Sequence, residues 1–390
     1  MNRNLYILLL AQFLSAFADN AILFTVIAMI METVTAAAWY IPALQASFLV
    51  AFVLLAPWVG PFADARPKAS VLVSANVVKA IGAGLLLMNL EPLFAYAVIG
   101  VGAAMYSPAK YGILPELVAH NKLVKANGWI EGSTIVAILA GSLIGAQVAD
   151  YSVQSGMFLV LMLYGVSAIC ALFITRMPAQ LPVKAAALPH FIGVTSTLFS
   201  NTQARFSLFG TSLFWATAAV LRLMLVVWAP LVLLTTTTAQ IAELTLYIAI
   251  GIAIGALLAP RLIPLEHLRR TGIAAILLGL CILLLSFTES VWPARLALLA
   301  IGIVGGLFVV PMNAVLQAVG HRTVGSGGAV AVQNFTENLS MLAATGIYTI
   351  AAAQGVTPVA SIVGLGIAVL AISLLGSRRL PADEHTTTPG

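Results

Sequence analysis

The sequence predicts an all-α membrane protein of twelve transmembrane helices, arranged as two pseudo-symmetric six-helix bundles. Three observations predict it. Of 390 residues, 61% are hydrophobic and 8% are charged, which would give a soluble domain an apolar, aggregating surface. Apolar runs of about twenty residues, enough to cross a bilayer at 1.5 Å per residue, recur along the whole chain and leave no room for a soluble domain. The two halves of the chain also resemble each other at matched positions.

The first span covers about 5–31. Arg3, Leu5–Leu14 and the small residues around Ala16-Phe17-Ala18 imitate a secretory signal with its cleavage site. Asp19-Asn20 is followed at once by AILFTVIAMIM, however, so one uncleaved span explains both parts. Spans two and three, at about 41–63 and 69–89, flank the loop Gly60-Pro61-Phe62-Ala63-Asp64-Ala65-Arg66-Pro67-Lys68, which has the pattern G-x3-D-x-R-x-K. Spans four to six follow at about 92–117, 123–149 and 155–175. The longest polar connection begins PAQLPVKAAALPH and runs to about Arg205, so residues 1–176 form one bundle and 177–205 a cytoplasmic linker. FIGVTSTLF within it has the composition of a helix lying flat on the inner surface, but an ordinary linker is the expectation. The second bundle, 206–377, has spans at about 206–233, 240–259, 271–287, 291–318, 323–351 and 356–376, and 378–390 reads as a disordered tail.

Charge sets the orientation. With the N-terminus in the cytoplasm, Arg3, Arg66, Lys68, Lys122, Lys125, Arg176, Lys184, Arg205, Arg261, Arg269, Arg270, Arg322, Arg378 and Arg379 all fall inside. The outer loops keep Arg295 at most, beside Glu32, Glu91, Asp150 and Glu289. That asymmetry places both termini in the cytoplasm, and it makes the excess of 18 basic over 13 acidic residues a topological signal rather than a nucleic-acid footprint. Cys170 and Cys281 stand alone in apolar runs and read as packing residues, with no metal site implied.

The repeat is clearest around the fourth and tenth spans. IGVGAAMYSPAKYGIL matches IGIVGGLFVVPMNAVL, with Pro108 over Pro311 and Lys110 over Asn313; just beyond, KANGWIEGS lies over AVQNFTENL, with Glu131 over Glu337. Duplicated six-span units are a common transporter plan, with the substrate held between the halves. Prolines inside such spans are tolerated where neighbouring helices or a wet cavity satisfy the freed backbone groups.

Six ionisable residues remain at membrane depth: Asp19, Lys79, Lys110, Glu131, Arg222 and Glu337. Each costs about 2.5–3.5 kcal/mol at a span centre, so they should face one another or a cavity. Counting residues puts Asp19, Lys79 and Arg222 near mid-membrane and Lys110 and Glu131 in the cytoplasmic third, where Lys110 points into the cavity, pairs with Glu131 or snorkels to the interface. Gln12, Ser15 and Asp19 make one stripe, with Asn20 beside it; Asn334, Glu337 and Asn338 make another. Arg222 stands out because a mid-membrane guanidinium suits a phosphate bidentately. Gly60, Asp64, Arg66 and Lys68 read as a gate: Asp64 can sit against the positive end of a neighbouring helix, and the glycine-rich VGSGGAV at 324–330 opens such a helix.

The six-plus-six plan with the 60–68 loop resembles the major facilitator superfamily. AQFLSAFADNAILF, GVGAAMYSPAKYGIL, KLVKANGWIE, RFSLFGTSLFW, FVVPMNA and AVQNFTEN resemble, more specifically, the bacterial lysophospholipid transporters of that superfamily, across nearly the whole chain. Ala18, where glycine is expected, and a short N-terminus depart from the pattern. The resemblance implies a monomeric flippase of the bacterial inner membrane. It would carry lysophospholipids such as lysophosphatidylethanolamine from the outer to the inner leaflet by alternating access, the headgroup in a charged central cavity. A bifunctional acyltransferase/acyl-carrier-protein synthetase would then re-acylate them. No cofactor is implied, and a proton or sodium ion is an open coupling partner. Asp19, Lys110, Glu131, Arg222 and Glu337 fall on charged positions of the family's blocks. The alternative is a proton-coupled drug or small-solute transporter of the same fold. An enzyme reading fails on residues, since no HxxxxD acyltransferase motif surrounds any of the five histidines and no GxxxxGK[ST] loop is present.

Overall fold

The computed structural model describes residues 3–33, 40–175, 177–178, 187–234 and 238–377. Arg176, Lys184, Arg378, Arg379 and the tail expected at 378–390 lie outside them, as does the side chain of Glu32. Among the described residues the regular structure is helical: α1 (Arg3–Thr33), α2 (Tyr40–Asp64), α3 (Lys68–Leu87), α4 (Pro92–Gly112), a short α5 (Leu114–Leu117), α6 (Leu123–Tyr151), α7 (Val153–Leu172), α8 (Ala187–Ser200), α9 (Thr202–Val232), α10 (Thr238–Leu262), α11 (Arg269–Leu285), α12 (Val291–Thr323), α13 (Ser326–Ala353) and α14 (Pro358–Ser377). The twelve long helices other than α8 fall on the twelve expected spans, and ten of them are long and apolar enough to cross a membrane. The remaining two are α11, with only 17 residues, and α13, whose first half is rich in polar side chains.

Local chemistry sets the helix ends. Glu91 caps α4 by accepting from the Phe94 N–H at 2.9 Å, ahead of Pro92, whose missing N–H costs nothing in a first turn. α4 runs through Pro108 and stops at Gly112; Pro115 then divides the expected 92–117 span, and α5 is a separate turn. Asn201 caps α9 through the Ala204 N–H at 3.0 Å, starting that helix four residues before the expected span. The linker differs from expectation: 187–200 is the α-helix α8, which turns Val194 and Leu198 inward and leaves Leu188 and Ile192 exposed. A buried stripe at helical spacing, with Pro189 confined to the first turn, accounts for it.

The chain forms two compact units. The first takes the described residues of Met1–His120, Val136–Leu198 and Gln317–Phe335; the second takes those of Asn121–Ile135, Phe199–Leu316 and Thr336–Gly390. Close backbone approach holds each together. In the first, a Cβ at Gly102 would meet the Ala75 carbonyl oxygen at 2.7 Å and one at Gly100 the Phe48 carbonyl oxygen at 2.7 Å, which locks α4 against α3 and α2. In the second, Gly251 and Gly255 of α10 face Gly302 and Gly306 of α12, and any side chain there would enter the other helix's backbone. Large apolar side chains such as Leu54, Phe158, Leu223 and Ile347 are exposed, as a bilayer-facing surface requires.

Candidate functional site

In the first unit, the stripe on α1 meets α3 and α7. Lys79 is buried, 1% exposed, and its ammonium pairs with Asp19 Oδ2 at 2.7 Å and donates to Ser15 Oγ at 2.9 Å. Tyr164 of α7 donates its hydroxyl to Asp19 Oδ1 at 2.9 Å. The rings of Tyr106 and Tyr164 lie 4.7 and 5.6 Å from the ammonium, adding cation–π attraction. A hydrogen-bond chain continues from Ser15 Oγ to Asn76 Oδ1 (2.9 Å), from Asn76 Nδ2 to Ser167 Oγ (2.8 Å) and from Ser167 Oγ to the Ala11 carbonyl (2.6 Å). Three helices are thereby tied to one ion pair whose desolvation is offset by two direct hydrogen-bond partners, Ser15 and Tyr164, with the chain through Asn76 and Ser167 behind them. Asp19 keeps 21% of its side chain accessible, so it is the member of the pair that a ligand can reach. Asn20 turns back onto its own helix, donating to the Ala16 carbonyl at 2.8 Å.

Asn334, at the end of this unit's share of α13, donates to Ser107 Oγ of α4 at 2.9 Å, one residue before Pro108. Lys110, two residues beyond that proline, sits with its ammonium 4.2 Å from the Tyr111 ring.

The same unit holds Gly60, Asp64, Arg66 and Lys68. Asp64, 2% exposed at the end of α2, accepts the Gly327 N–H with Oδ1 and the Gly328 N–H with Oδ2, both at 2.8 Å. These are orphan donors of the first turn of α13, where the helix dipole favours an anion. Glycine is needed here twice over. Gly325 turns the chain at φ +89°, and a Cβ on Gly327 would stand 2.9 Å from the Asp64 carboxylate. Gly60 lets α2 approach, since its own Cβ would lie 2.9 Å from Gly328 Cα. Lys68 pairs with Asp64 at 3.5 Å and with Glu116 at 2.8 Å, all three side chains being buried, while Arg66 stacks over Phe62 at 4.1 Å and remains exposed.

In the second unit, Glu131 of α6 is buried and accepts from Asn313 Nδ2 of α12 at 3.1 Å. Asn313 occupies the repeat position of Lys110, so an amide stands beside this carboxylate. Glu337 and Asn338 are buried on α13. Arg222 is exposed on α9, and among the described residues its guanidinium has no hydrogen-bond or ion-pair partner. It stands twenty residues from the start of α9 and ten from its end, roughly 30 and 15 Å along the helix.

Tyr164, Ser167 and Glu116 are absent from the sequence-level site. The first two are uncharged and lie in an almost wholly apolar span, and Glu116 lies at a helix end where an acid is usually solvated.

Twelve long helices, ten of them long and apolar enough to cross a membrane, define a polytopic membrane protein. Residues 8–345 match the family model described as Major Facilitator Superfamily, and the chain belongs to that superfamily. Among curated relatives it is 43% identical over 377 residues to the lysophospholipid transporter LplT of Klebsiella pneumoniae, covering 95% of each chain. It is 41% identical over 370 residues to that of Photorhabdus laumondii, covering 94% of this chain and 93% of the other. The fold is matched by solved structures of the human organic anion transporter TETRAN (TM-score 0.77, 15% identity, 96% of this chain and 100% of the other) and of the fucose:proton symporter of E. coli (0.74, 14%, 97% and 98%).

Proposed function

We propose that this protein is a lysophospholipid transporter of the bacterial inner membrane, moving lysophospholipids such as lysophosphatidylethanolamine from the outer to the inner leaflet by alternating access. The reading is supported by full-length similarity to transporters bearing that name. One geometric observation carries it: among the described residues the guanidinium of Arg222, exposed part-way along a membrane-length helix, has no hydrogen-bond or ion-pair partner and is free to take a ligand of opposite charge. A phosphate offers the two parallel acceptor oxygens that an arginine fork fits.

In this scheme Arg222 takes the phosphate, and Asp19, paired with Lys79 from behind, keeps an open side for a cationic group. Lys79, buried and paired, acts on the substrate through Asp19. Glu131, Lys110, Glu337, Asn334 and Asn338 rearrange as access alternates. Asp64 holds α13 in one access state and releases it in the other. The acyl tail needs no polar partner and stays in apolar surroundings. The protein acts as a monomer with both termini cytoplasmic, and delivers to an acyltransferase/acyl-carrier-protein synthetase whose re-acylation drains the inner-leaflet pool. A proton or sodium ion, if coupled, binds at a carboxylate of this set.

Reconstitution into vesicles with labelled lysophosphatidylethanolamine tests the reading. Inward movement well above that of protein-free vesicles is expected. Background movement, together with proton-dependent transport of an unrelated drug, would establish the solute-transporter alternative instead.

A further inference from the structure

Arg295 is the one basic residue that the charge pattern leaves on the outer side, and the functional set above does not use it. It lies one turn into α12 and pairs through Nη2 with Glu243 Oε1 of α10 at 2.8 Å. Two rings flank its guanidinium, Trp292 at 4.9 Å and Tyr247 at 5.6 Å. Its Nε is buried without a hydrogen-bond partner. Glu243 is 41% exposed and Trp292 66% exposed. Counting along the helices puts Arg295 about 6 Å and Glu243 about 7.5 Å inside the outer helix ends, the depth of the headgroup layer.

Aromatic residues at that depth are ordinary interfacial anchors. Anchoring explains the rings; it does not explain a cation on the side from which cations are otherwise missing, nor an anion set against it. We propose that Glu243, Arg295, Trp292 and Tyr247 form an outer loading site for a zwitterionic phosphoethanolamine headgroup, which rests on the lysophospholipid reading. The headgroup's phosphate takes the place of Glu243 on Arg295, and its ammonium takes the place of Arg295 on Glu243. Each charge keeps a counter-charge throughout, so the exchange leaves no ion bare in the interface. A partly exposed pair contributes little to stability and opens readily. The spare Nε–H supplies a second donor for a phosphate oxygen, and the rings keep the guanidinium in place while the pair is open. Glu243 also makes the site selective, because an anionic phosphoglycerol headgroup would bring no ammonium to meet it.

The test uses the full chain in phosphatidylcholine vesicles, with initial rates of inward movement measured against the concentration of lysophosphatidylethanolamine and of lysophosphatidylglycerol. Glu243→Gln should raise the half-saturating concentration for the ethanolamine lipid about tenfold, the worth of a charge-assisted contact, and leave that for the glycerol lipid unchanged or lower, with maximal rates unaltered. Arg295→Gln should raise both. If it inserts poorly, Glu243→Gln/Arg295→Gln carries no unpaired charge and should show the same loss of discrimination. Equal shifts for the two lipids in Glu243→Gln would make the pair a strut between helices and overturn the site. Competition by water-soluble glycerophosphoethanolamine as strong as that by lysolipid would overturn its assignment to a lipid. Failure of the unaltered protein to move either lipid would remove the transporter reading, and the loading site with it; normal transport with unshifted variants removes the loading site alone.

Discussion

Lys79 and Arg222 show how differently two cations at membrane depth can be used. Lys79 is enclosed by a carboxylate, a hydroxyl and two rings, whereas Arg222 is exposed and unpartnered among the described residues. Removing one member of an enclosed pair strands the other. Lys79→Met should therefore destabilise the protein by about 3–5 kcal/mol, and Lys79→Met/Asp19→Asn, a neutral and nearly isosteric pair, should recover most of that loss without recovering transport. Thermal unfolding in detergent beside vesicle uptake reads both; a double variant no more stable than Lys79→Met would mean that the ion pair does not govern folding here. Arg222→Ala should do the opposite, abolishing lysolipid uptake with little change in unfolding temperature, since no intramolecular partner is lost. Wild-type uptake in that variant would make the residue structural. The charges at this site were legible in the sequence because ionisable groups in oil stand out by cost alone. Their partners were not, because Tyr164 and Ser167 carry no charge and helical spacing relates residues within one helix, not across three.

At the scale of elements, the spans themselves were readable and their ends were not. Hydropathy measures the length in oil, while helices continue into water wherever capping and burial allow: α12 reaches Thr323, five residues past its expected limit, and α9 begins early at its Asn201 cap. α8 escaped for a related reason. Its apolar stripe is shorter than a span, and only packing of Val194 near Gly328 and of Phe191 edge-on to Phe335 at 5.6 Å shows what the stripe is for. Hydropathy is equally blind to the fit of one helix on another. The glycines of α10 and α12 lie within apolar runs, yet they set how closely the two backbones approach. Gly255→Val would drive a side chain into the Ile303 carbonyl, an overpacking cost of about 1–3 kcal/mol, while the same change at Gly346, where a Cβ meets nothing within 4 Å, should cost only local backbone terms. A lower unfolding midpoint for the first and a near-native one for the second would confirm that α10–α12 contact is limited by backbone approach.

For the whole molecule, chain order and compact units do not coincide. The first unit draws Gln317–Phe335 from the second half of the sequence, and that segment supplies both N–H groups on Asp64 and the amide that meets Ser107. A half-chain ending in the linker thus lacks a piece of its own unit. Without the α13 donors, Asp64 keeps only Lys68 as a counter-charge, and the 60–68 loop loses what holds it buried. Trypsin reports this directly: the bond after Lys68 is cleavable once that residue is released, whereas the one after Arg66 is protected chemically by Pro67. Residues 1–178 expressed alone in membranes should be cut after Lys68, and co-expression with 187–390 should restore resistance. Equal resistance of the half-chain alone would mean that the Asp64 contacts add nothing to local stability and would remove the gate from the transport cycle. The repeat predicts two bundles of consecutive spans, but a latch must reach across chain halves if its opening is to accompany a change of access. The capped start of α13 is where this sequence spends its glycines to allow that.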